Sequence, residues 1–397
     1  MKKRRIALVG TYYEESHGDA LLFDCVEYLY KKIGKKHKLD IECEVVDILG
    51  RNHINYGGNV KQNLKDKVYK NTNLYFLKKI YSDYKRKKFV NMLEKFYLDN
   101  FVNVDMIVIV GGGLLKYNIR TNFAPIFDKL INVAKNLDIP VIFNSIGIEG
   151  EHNEIDNDYI IIKKALNCDI VKMCSTRDRI DVLEKYIVNS NTVCKKVSDT
   201  GVWTSNALKI KKDINSNLIG LNVIVPSRFK DYGKEISEIQ LLDFWKSIVL
   251  KLDFLGYKYR FFTNGMLQDY KFAEKIIDYC NLDRSLLLDN PKDEFEMVKN
   301  ISKFKAIIAN RLHSCIVAYS LNIPAVGLAW NDKLIYWGNE INLSERFFDY
   351  DELNPDNIVF HLVKAMDEGY NQNEKKLFMQ TIYEFIEDSF EFLNKGD

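Results

Sequence analysis

The sequence predicts an α/β protein of two successive doubly wound, Rossmann-like domains facing a cleft. Three observations carry that reading. Short apolar runs alternate with longer stretches of helical spacing, the runs are apolar throughout, and a polar stretch, Lys209–Asn217 (KIKKDINSN), divides them into two series. Strands covered on both faces read as continuous apolar runs, and their alternation with helices implies parallel sheets. The chain has 397 residues, too many for one ordinary core, and fits two domains of roughly 150–200 residues.

The first series of expected strands is Ile6–Val9, Cys43–Ile48, Met106–Val110, Val141–Asn144, Ile170–Cys174 and Val193–Val197. The second is Leu218–Val225, Lys258–Thr263, Leu286–Leu288, Ala306–Ala309 and Ala325–Ala329. Ile236–Phe254 and Tyr270–Cys280 carry helical spacing between strands. Lys376–Leu393 has apolar residues at 378, 382, 385, 386, 390 and 393 and reads as an amphipathic helix. The expected division is a domain at 1–208 with a basic helical insertion at about 57–100, a domain at 209–375, and a helix at 376–397 packing back on the first domain. By analogy, such an arrangement resembles the GT-B architecture.

Composition removes several function classes. Lys and Arg number 57 against 55 Asp and Glu, so no global charge points to nucleic acid. The seven cysteines are odd in number and contain no CxxC, which favours buried free thiols in a reducing compartment over a disulfide frame or a zinc site. The opening MKKRRIALVG has too short an apolar stretch for a signal peptide, and no run approaches a membrane span, so a cytoplasmic location is expected. Lys61–Lys95 holds eleven basic residues against three acidic ones. It reads either as a solvated helical insertion or as a surface that meets anionic membrane or a lipid-diphosphate acceptor.

In open parallel sheets ligands bind beyond the carboxyl ends of the strands. Four stretches there could carry chemistry. In Ala306–Trp330 a strand ends at Ala309, Asn310 is suited to an N-cap, and Leu312, Cys315, Ile316 and Tyr319 form a helix face stopped by Asn322-Ile323-Pro324. Arg311 and His313 then share the first turn of a helix, where free N–H groups attract an anion. That field disfavours imidazolium until an anion binds, which suits a general acid. The bland alternative is a pair that merely caps the helix. Gly111-Gly112-Gly113 is either a close backbone approach to a ligand or a plain strand-to-helix turn. Gly18-Asp19, after Ser16-His17, is either a substrate approach or a helix start capped by Ser16. In Ser175-Thr176-Arg177-Asp178, Asp178 suits an N-cap and Arg177 points into the cleft or pairs on the surface. Lys333 sits on the same edge, or is simply solvated.

Taken in order, these motifs resemble the polysaccharide pyruvyl transferase family. The matching pieces are Gly18-Asp19 with Ala20-Leu21-Leu22, Gly111-Gly112-Gly113-Leu114-Leu115, Ser145-Ile146-Gly147-Ile148, Thr176-Arg177-Asp178, Asp199, Arg311-Leu312-His313-Ser314, and Leu321–Gly327 with Lys333 beyond. His17 before Gly18, Gly201-Val202-Trp203 after Asp199, and the basic insertion depart from the family pattern. The resemblance implies transfer of pyruvate from phosphoenolpyruvate to two hydroxyls of a sugar or lipid-linked oligosaccharide, as a ketal, in cell-surface glycan biosynthesis, with no cofactor and no metal. It implies His313 and Arg311 as catalytic residues. It also implies Gly18, Asp19, Gly111, Gly112, Gly113, Arg177, Asn310, Ser314 and Lys333 as substrate-binding residues, the first domain taking the acceptor and the second the donor. Two other readings stand beside it: a GT-B glycosyltransferase using a nucleotide sugar, against which no acidic residue after Ala325–Ala329 falls in the usual ribose-binding pattern, and a non-catalytic binder of anionic glycans.

Overall fold

A computed structural model describes residues 2–54, 87–116, 123–150 and 153–394. Residues 61–86 of the basic insertion lie outside the described residues, while 87–100 form a helix. The chain divides into two compact units, one of Met1–Glu14, Leu29–Val197 and Glu384–Asp397, the other of Glu15–Tyr28 and Ser198–Tyr383. These limits differ from the boundaries expected at 208/209 and 375/376. Residues 15–28 and 198–208 fold with the second unit, and the tail is shared between the two. Sequence order cannot show where a helix that leaves one sheet finds its packing partners.

The first unit is built on a parallel sheet of strands β1 (Lys2–Gly10), β2 (Leu39–Asp47), β3 (Met106–Lys116), β4 (Val141–Glu149), β5 (Val171–Thr176) and β6 (Val193–Lys196), in the order β2-β1-β3-β4-β5-β6. The apolar cores of β1, β3 and β4 are sealed from solvent, which is why they read as unbroken apolar runs. Two expectations change here. The glycines after Val110 do not turn the chain into a helix: β3 continues through them to Lys116, with a register irregularity against β4 between Gly112 and Leu115. Gly112 has a φ of 105°. A Cβ on Gly111 would stand 2.6 Å from the carbonyl oxygen of Ser145, so the neighbouring strand demands that glycine. In addition, β4 runs on past Asn144 to Glu149, with Ser145 at a φ of 53°.

The second unit holds β7 (Leu218–Asn222), β8 (Lys258–Phe262), β9 (Ala306–Ala309), β10 (Ala325–Ala329) and β11 (Phe347–Asp349), all parallel, in the order β11-β10-β9-β7-β8. The stretch Leu286–Leu288, expected as a strand, is the end of a 3-10 turn with a single bridge from Leu287 to Phe261. Three leucines lack the length to separate a strand from a turn. Strand β11 was not foreseen, because three residues show no period. After β7 the chain adds β8 on one side and then returns to place β9 on the other, so the strand order reverses between β7 and β9. In open α/β sheets that reversal, at the carboxyl edge, is where a ligand crevice forms.

Helix Glu238–Phe254 starts with a complete capping box, Ser237 with Gln240. Helix His17–Lys36 carries Asp24, whose carboxyl is pushed up to about 7 by burial and by the nearby charges of Glu294, Glu27 and Asp293. Its folded value lies above the unfolded one, so the folded chain keeps a proton that the unfolded chain releases. Stability therefore falls as pH rises from about 4 to 7 and stays lowered above it. Asp24→Asn is expected to stabilise the chain by roughly 1–4 kcal/mol at pH 8 and hardly at pH 4. Urea unfolding at both pH values checks this, and an equal effect at both would contradict it.

Candidate functional site

The carboxyl edge of the second sheet carries an asparagine at the end of, or just after, four of its five strands. Asn222 ends β7, Asn264 follows β8 by two residues, Asn310 follows β9, and Asn331 follows β10 by two. Their amides tie the edge together. Asn222 Oδ1 accepts the Arg311 backbone N–H at 3.0 Å, and Asn222 Nδ2 donates to Asn264 Oδ1 at 3.1 Å. Asn310 Nδ2 donates to the Leu328 carbonyl at 3.0 Å. Asn331 accepts from the N–H of Lys333 and caps helix Asp332–Glu340. Asn310, by contrast, is not the N-cap of the next helix: its side chain is spent on β10, and Arg311 occupies the cap position of helix Leu312–Ser320.

Arg311 and His313 do open that helix, at the sheet's point of reversal, but the arginine is not a loose clamp. Its Nε donates to Asp269 Oδ2 at 2.9 Å, its Nη2 donates to the same oxygen, and Nη2 also meets Met266 Sδ at 3.0 Å. Asp269 is fully buried and accepts the Val225 N–H through Oδ1 at 3.0 Å. The guanidinium centre lies 5.7 Å from the Trp330 ring centroid, and Trp330 Nε1 donates to the Asn310 carbonyl at 2.9 Å. Two of the three guanidinium nitrogens are thus held in place. Among the described residues, no hydrogen bond engages Nη1, which can still serve an anion.

His313 rests on a second helix start. A Cβ added to Gly18 would stand 2.2 Å from His313 Nδ1 and 2.6 Å from His313 Cβ, so Gly18 is the floor beneath the imidazole. His17, next to it, is buried and donates Nε2–H to the Pro291 carbonyl at 2.9 Å. Gly265, at a φ of 107°, leaves room for the His17 ring: a Cβ there would come within 2.4 Å of it. The second unit therefore brings together the first turns of helices His17–Lys36 and Leu312–Ser320, and both turns present N–H groups that lack a partner within their own helix. Gly18→Ala must displace the whole His313 side chain, not a flexible tip. It is expected to lower the rate of the reaction at this site at least tenfold and stability by about 1–3 kcal/mol. Kinetics and melting of the purified variant measure both, and unchanged kinetics would show that His313 is not seated on Gly18.

The remaining expected residues fall as follows. Ser314 is buried and gives its hydroxyl to Asn264 Oδ1 at 2.7 Å, which makes it part of the scaffold. Asp19 lies in the first turn of its helix and is half-buried. Lys333 is half-buried in the first turn of helix Asp332–Glu340. Gly111, Gly112, Gly113 and Arg177 belong to the first unit. Arg177 is buried against Gly147, where a Cβ would come within 3.0 Å of Nη2. Asp178 does not cap helix Ile180–Tyr186 with its side chain. It accepts instead from Thr176 Oγ1 at 2.9 Å and from the Arg179 N–H at 2.7 Å. Asp269, Asn222, Asn264 and Trp330 escaped sequence reasoning. The asparagines and Trp330 stand at strand ends, where that reasoning already looked. Asp269 lies within a helix, so only folding reveals it.

The far end of helix Leu312–Ser320 is fastened as well. Lys375 is 6% exposed, and its ammonium donates to the carbonyls of Tyr319 and Ser320 and to Asn322 Oδ1 at 2.8 Å. Burial, with Lys212 nearby, lowers it to about 8. No group of His, Cys, Asp and Glu among the described residues could hold a metal ion. All seven cysteines are free, and burial raises the thiols of Cys25, Cys174 and Cys315. No helix among the described residues is long and apolar enough to cross a membrane.

Comparison with known proteins fits this picture. No curated protein matches the chain significantly. Among solved structures, a putative UDP-N-acetylglucosamine 2-epimerase from Listeria monocytogenes superposes with a TM-score of 0.57 at 10% identity, over 100% of this chain and 98% of that one. The UDP-GlcNAc 2-epimerase of Methanocaldococcus jannaschii gives 0.56 at 10% identity over 97% and 98%, and that of Neisseria meningitidis bound to UDP-GlcNAc gives 0.53 at 12% over 98% and 99%. At such identity these likenesses show the fold alone, a GT-B-like chain of two Rossmann-like units. Residues 17–332, which include both helix starts and the asparagine edge, match the profile of the polysaccharide pyruvyl transferases, and the chain belongs to that family.

Proposed function

We propose that this transferase uses phosphoenolpyruvate as donor and sets its three-carbon unit on two hydroxyls of a sugar as a ketal, in the making of cell-surface glycans. The observation that carries the reading is the placement of His313: an imidazole in the first turn of a helix, at the reversal point of a parallel sheet, seated on the start of a second helix. Phosphate and carboxylate groups suit such a place, since two sets of helix N–H groups and the remaining Arg311 N–H groups answer negative charge.

In this scheme His313 protonates the methylene carbon of the enol. The central carbon becomes cationic, and a first sugar hydroxyl adds to it, its proton passing to the now neutral His313. The C–O bond to phosphate then breaks, inorganic phosphate departs with the bonding electrons, and a second hydroxyl closes the ketal as its proton passes to the departing phosphate. Arg311, held rigid by Asp269, keeps the donor's charge in register throughout. Lys333 is the proposed second cation on the donor.

The test is to incubate the chain with phosphoenolpyruvate and a panel of lipid- and nucleotide-linked saccharides, following phosphate release and the mass of the sugar. Phosphate release with a matching gain in sugar mass is expected. The structural relatives suggest the competing outcome, because one of them is bound to UDP-GlcNAc. Stabilisation against heat by UDP and not by phosphoenolpyruvate would replace this proposal with a nucleotide-sugar reading.

A further inference from the structure

Two of the edge amides, those of Asn264 and Asn331, hold a buried NH2 with no acceptor among the described residues, and Asn264 is the one tied to both helix starts. Backbone N–H groups can only donate, so the Arg311 N–H assigns Asn222 Oδ1 as acceptor and leaves Asn222 Nδ2 as donor. Asn222 Nδ2 meets Asn264 at 3.1 Å, so that atom of Asn264 must be the oxygen. Ser314 Oγ donates to the same oxygen at 2.7 Å. The NH2 of Asn264 is thereby turned away from both. Asn264 is 1% exposed, and among the described residues its Nδ2 has no acceptor. Most buried amides satisfy their donors, and one that does not calls for an explanation.

Its position supplies one. The Asn264 carbonyl accepts the His17 N–H at 2.9 Å, which ties the residue to the start of helix His17–Lys36. Its side-chain oxygen is tied through Ser314 to the start of helix Leu312–Ser320. The planar amide therefore sits where the two first turns meet, within a bond or two of the groups that favour an anion.

We propose that Asn264 is a further binding residue of this site, its side-chain NH2 donating to an anionic oxygen of the donor substrate. The proposal rests on the phosphoenolpyruvate reading for the identity of that substrate and on the amide network for the donor. The fixed oxygen side holds the amide rigid, so the hydrogen bond is made without ordering a loose side chain.

The experiment uses the full chain and three probes: phosphoenolpyruvate, inorganic phosphate and UDP. Asn264→Asp keeps the oxygen that serves Asn222 and Ser314 and replaces the NH2 with an acceptor. Asn264→Ser is the milder second variant should the first not fold. Calorimetric binding and steady-state kinetics are measured beside the melting of the unliganded chain. The expected result is a loss of phosphoenolpyruvate affinity and a rise in KM of tenfold or more, the loss of one charge-assisted hydrogen bond, with melting within a few degrees of wild type. Affinity and KM within threefold of wild type in a folded variant overturn the proposal, even if melting has changed, because the amide is then scaffold alone. If wild type binds UDP or phosphate and not phosphoenolpyruvate, the donor reading fails, while a tenfold loss of the bound probe in the variants still upholds Asn264 as a ligand. A wild-type chain that binds none of the three overturns both.

Discussion

His313→Ala is expected to leave a folded chain that still binds phosphoenolpyruvate and turns over about 10²–10⁴ times more slowly, the usual loss when a positioned acid is removed. The fold should tolerate the change because His313 is half-buried at the start of a helix whose other supports remain. Ser314 still binds Asn264, and Lys375 still holds the helix's last carbonyls. Affinity should change little, because in the proposed scheme the helix N–H groups and Arg311 supply most of the attraction for the anion. Rapid-mixing measurement of phosphate release separates the binding step from the chemical one. Turnover within tenfold of wild type would remove His313 from the acid role. A collapse of affinity with an unchanged rate constant would recast it as a binding group.

Arg311 has a different fate. From sequence, Arg311→Ala should silence the site while leaving the fold intact. The structure alters that expectation, because the guanidinium neutralises a carboxylate with no exposure to solvent. Removing either partner strands the other. Arg311→Ala and Asp269→Ala are each expected to destabilise the second unit by about 3–5 kcal/mol. Asp269→Ala also frees the Val225 N–H, which then lacks an acceptor. A double change, Arg311→Met with Asp269→Leu, should recover much of that stability and none of the activity, since a buried ion pair is worth little against well-packed apolar groups. Denaturant unfolding followed by the tryptophans gives the comparison. Single variants as stable as wild type would mean that the pair is open to water, and the rigid-clamp role of Arg311 would fall with it.

Much of the site was legible because its parts lie close along the chain. The strand Ala306–Ala309, the helix after it and the strand Ala325–Ala329 were read to within two residues. Composition and spacing within those 25 residues place Arg311 and His313 at a helix start without any knowledge of the rest. Asn310 was misassigned because asparagine suits an N-cap in isolation, and only the neighbouring strand offers it the Leu328 carbonyl instead. For the glycine triplet only the turn into a helix is overturned, and for a related reason. Glycine permits a turn, but it also permits the close approach of two strands, and the Ser145 carbonyl is contributed by a segment more than thirty residues away.

By itself, then, the amino-acid sequence determined the class of fold, most of the strands, and the pairing of Arg311 with His313 at a helix start. All of these depend on periodicity and capping over a few turns of chain. Tertiary structure alone decided that Gly18 supports His313, that Asp269 holds Arg311, that Asn264 turns its NH2 from its neighbours, and that residues 15–28 fold with the second unit. Each of those facts joins groups 40 to almost 300 residues apart. Such contacts arise only when burial and strand order bring the segments together, and no local pattern records them.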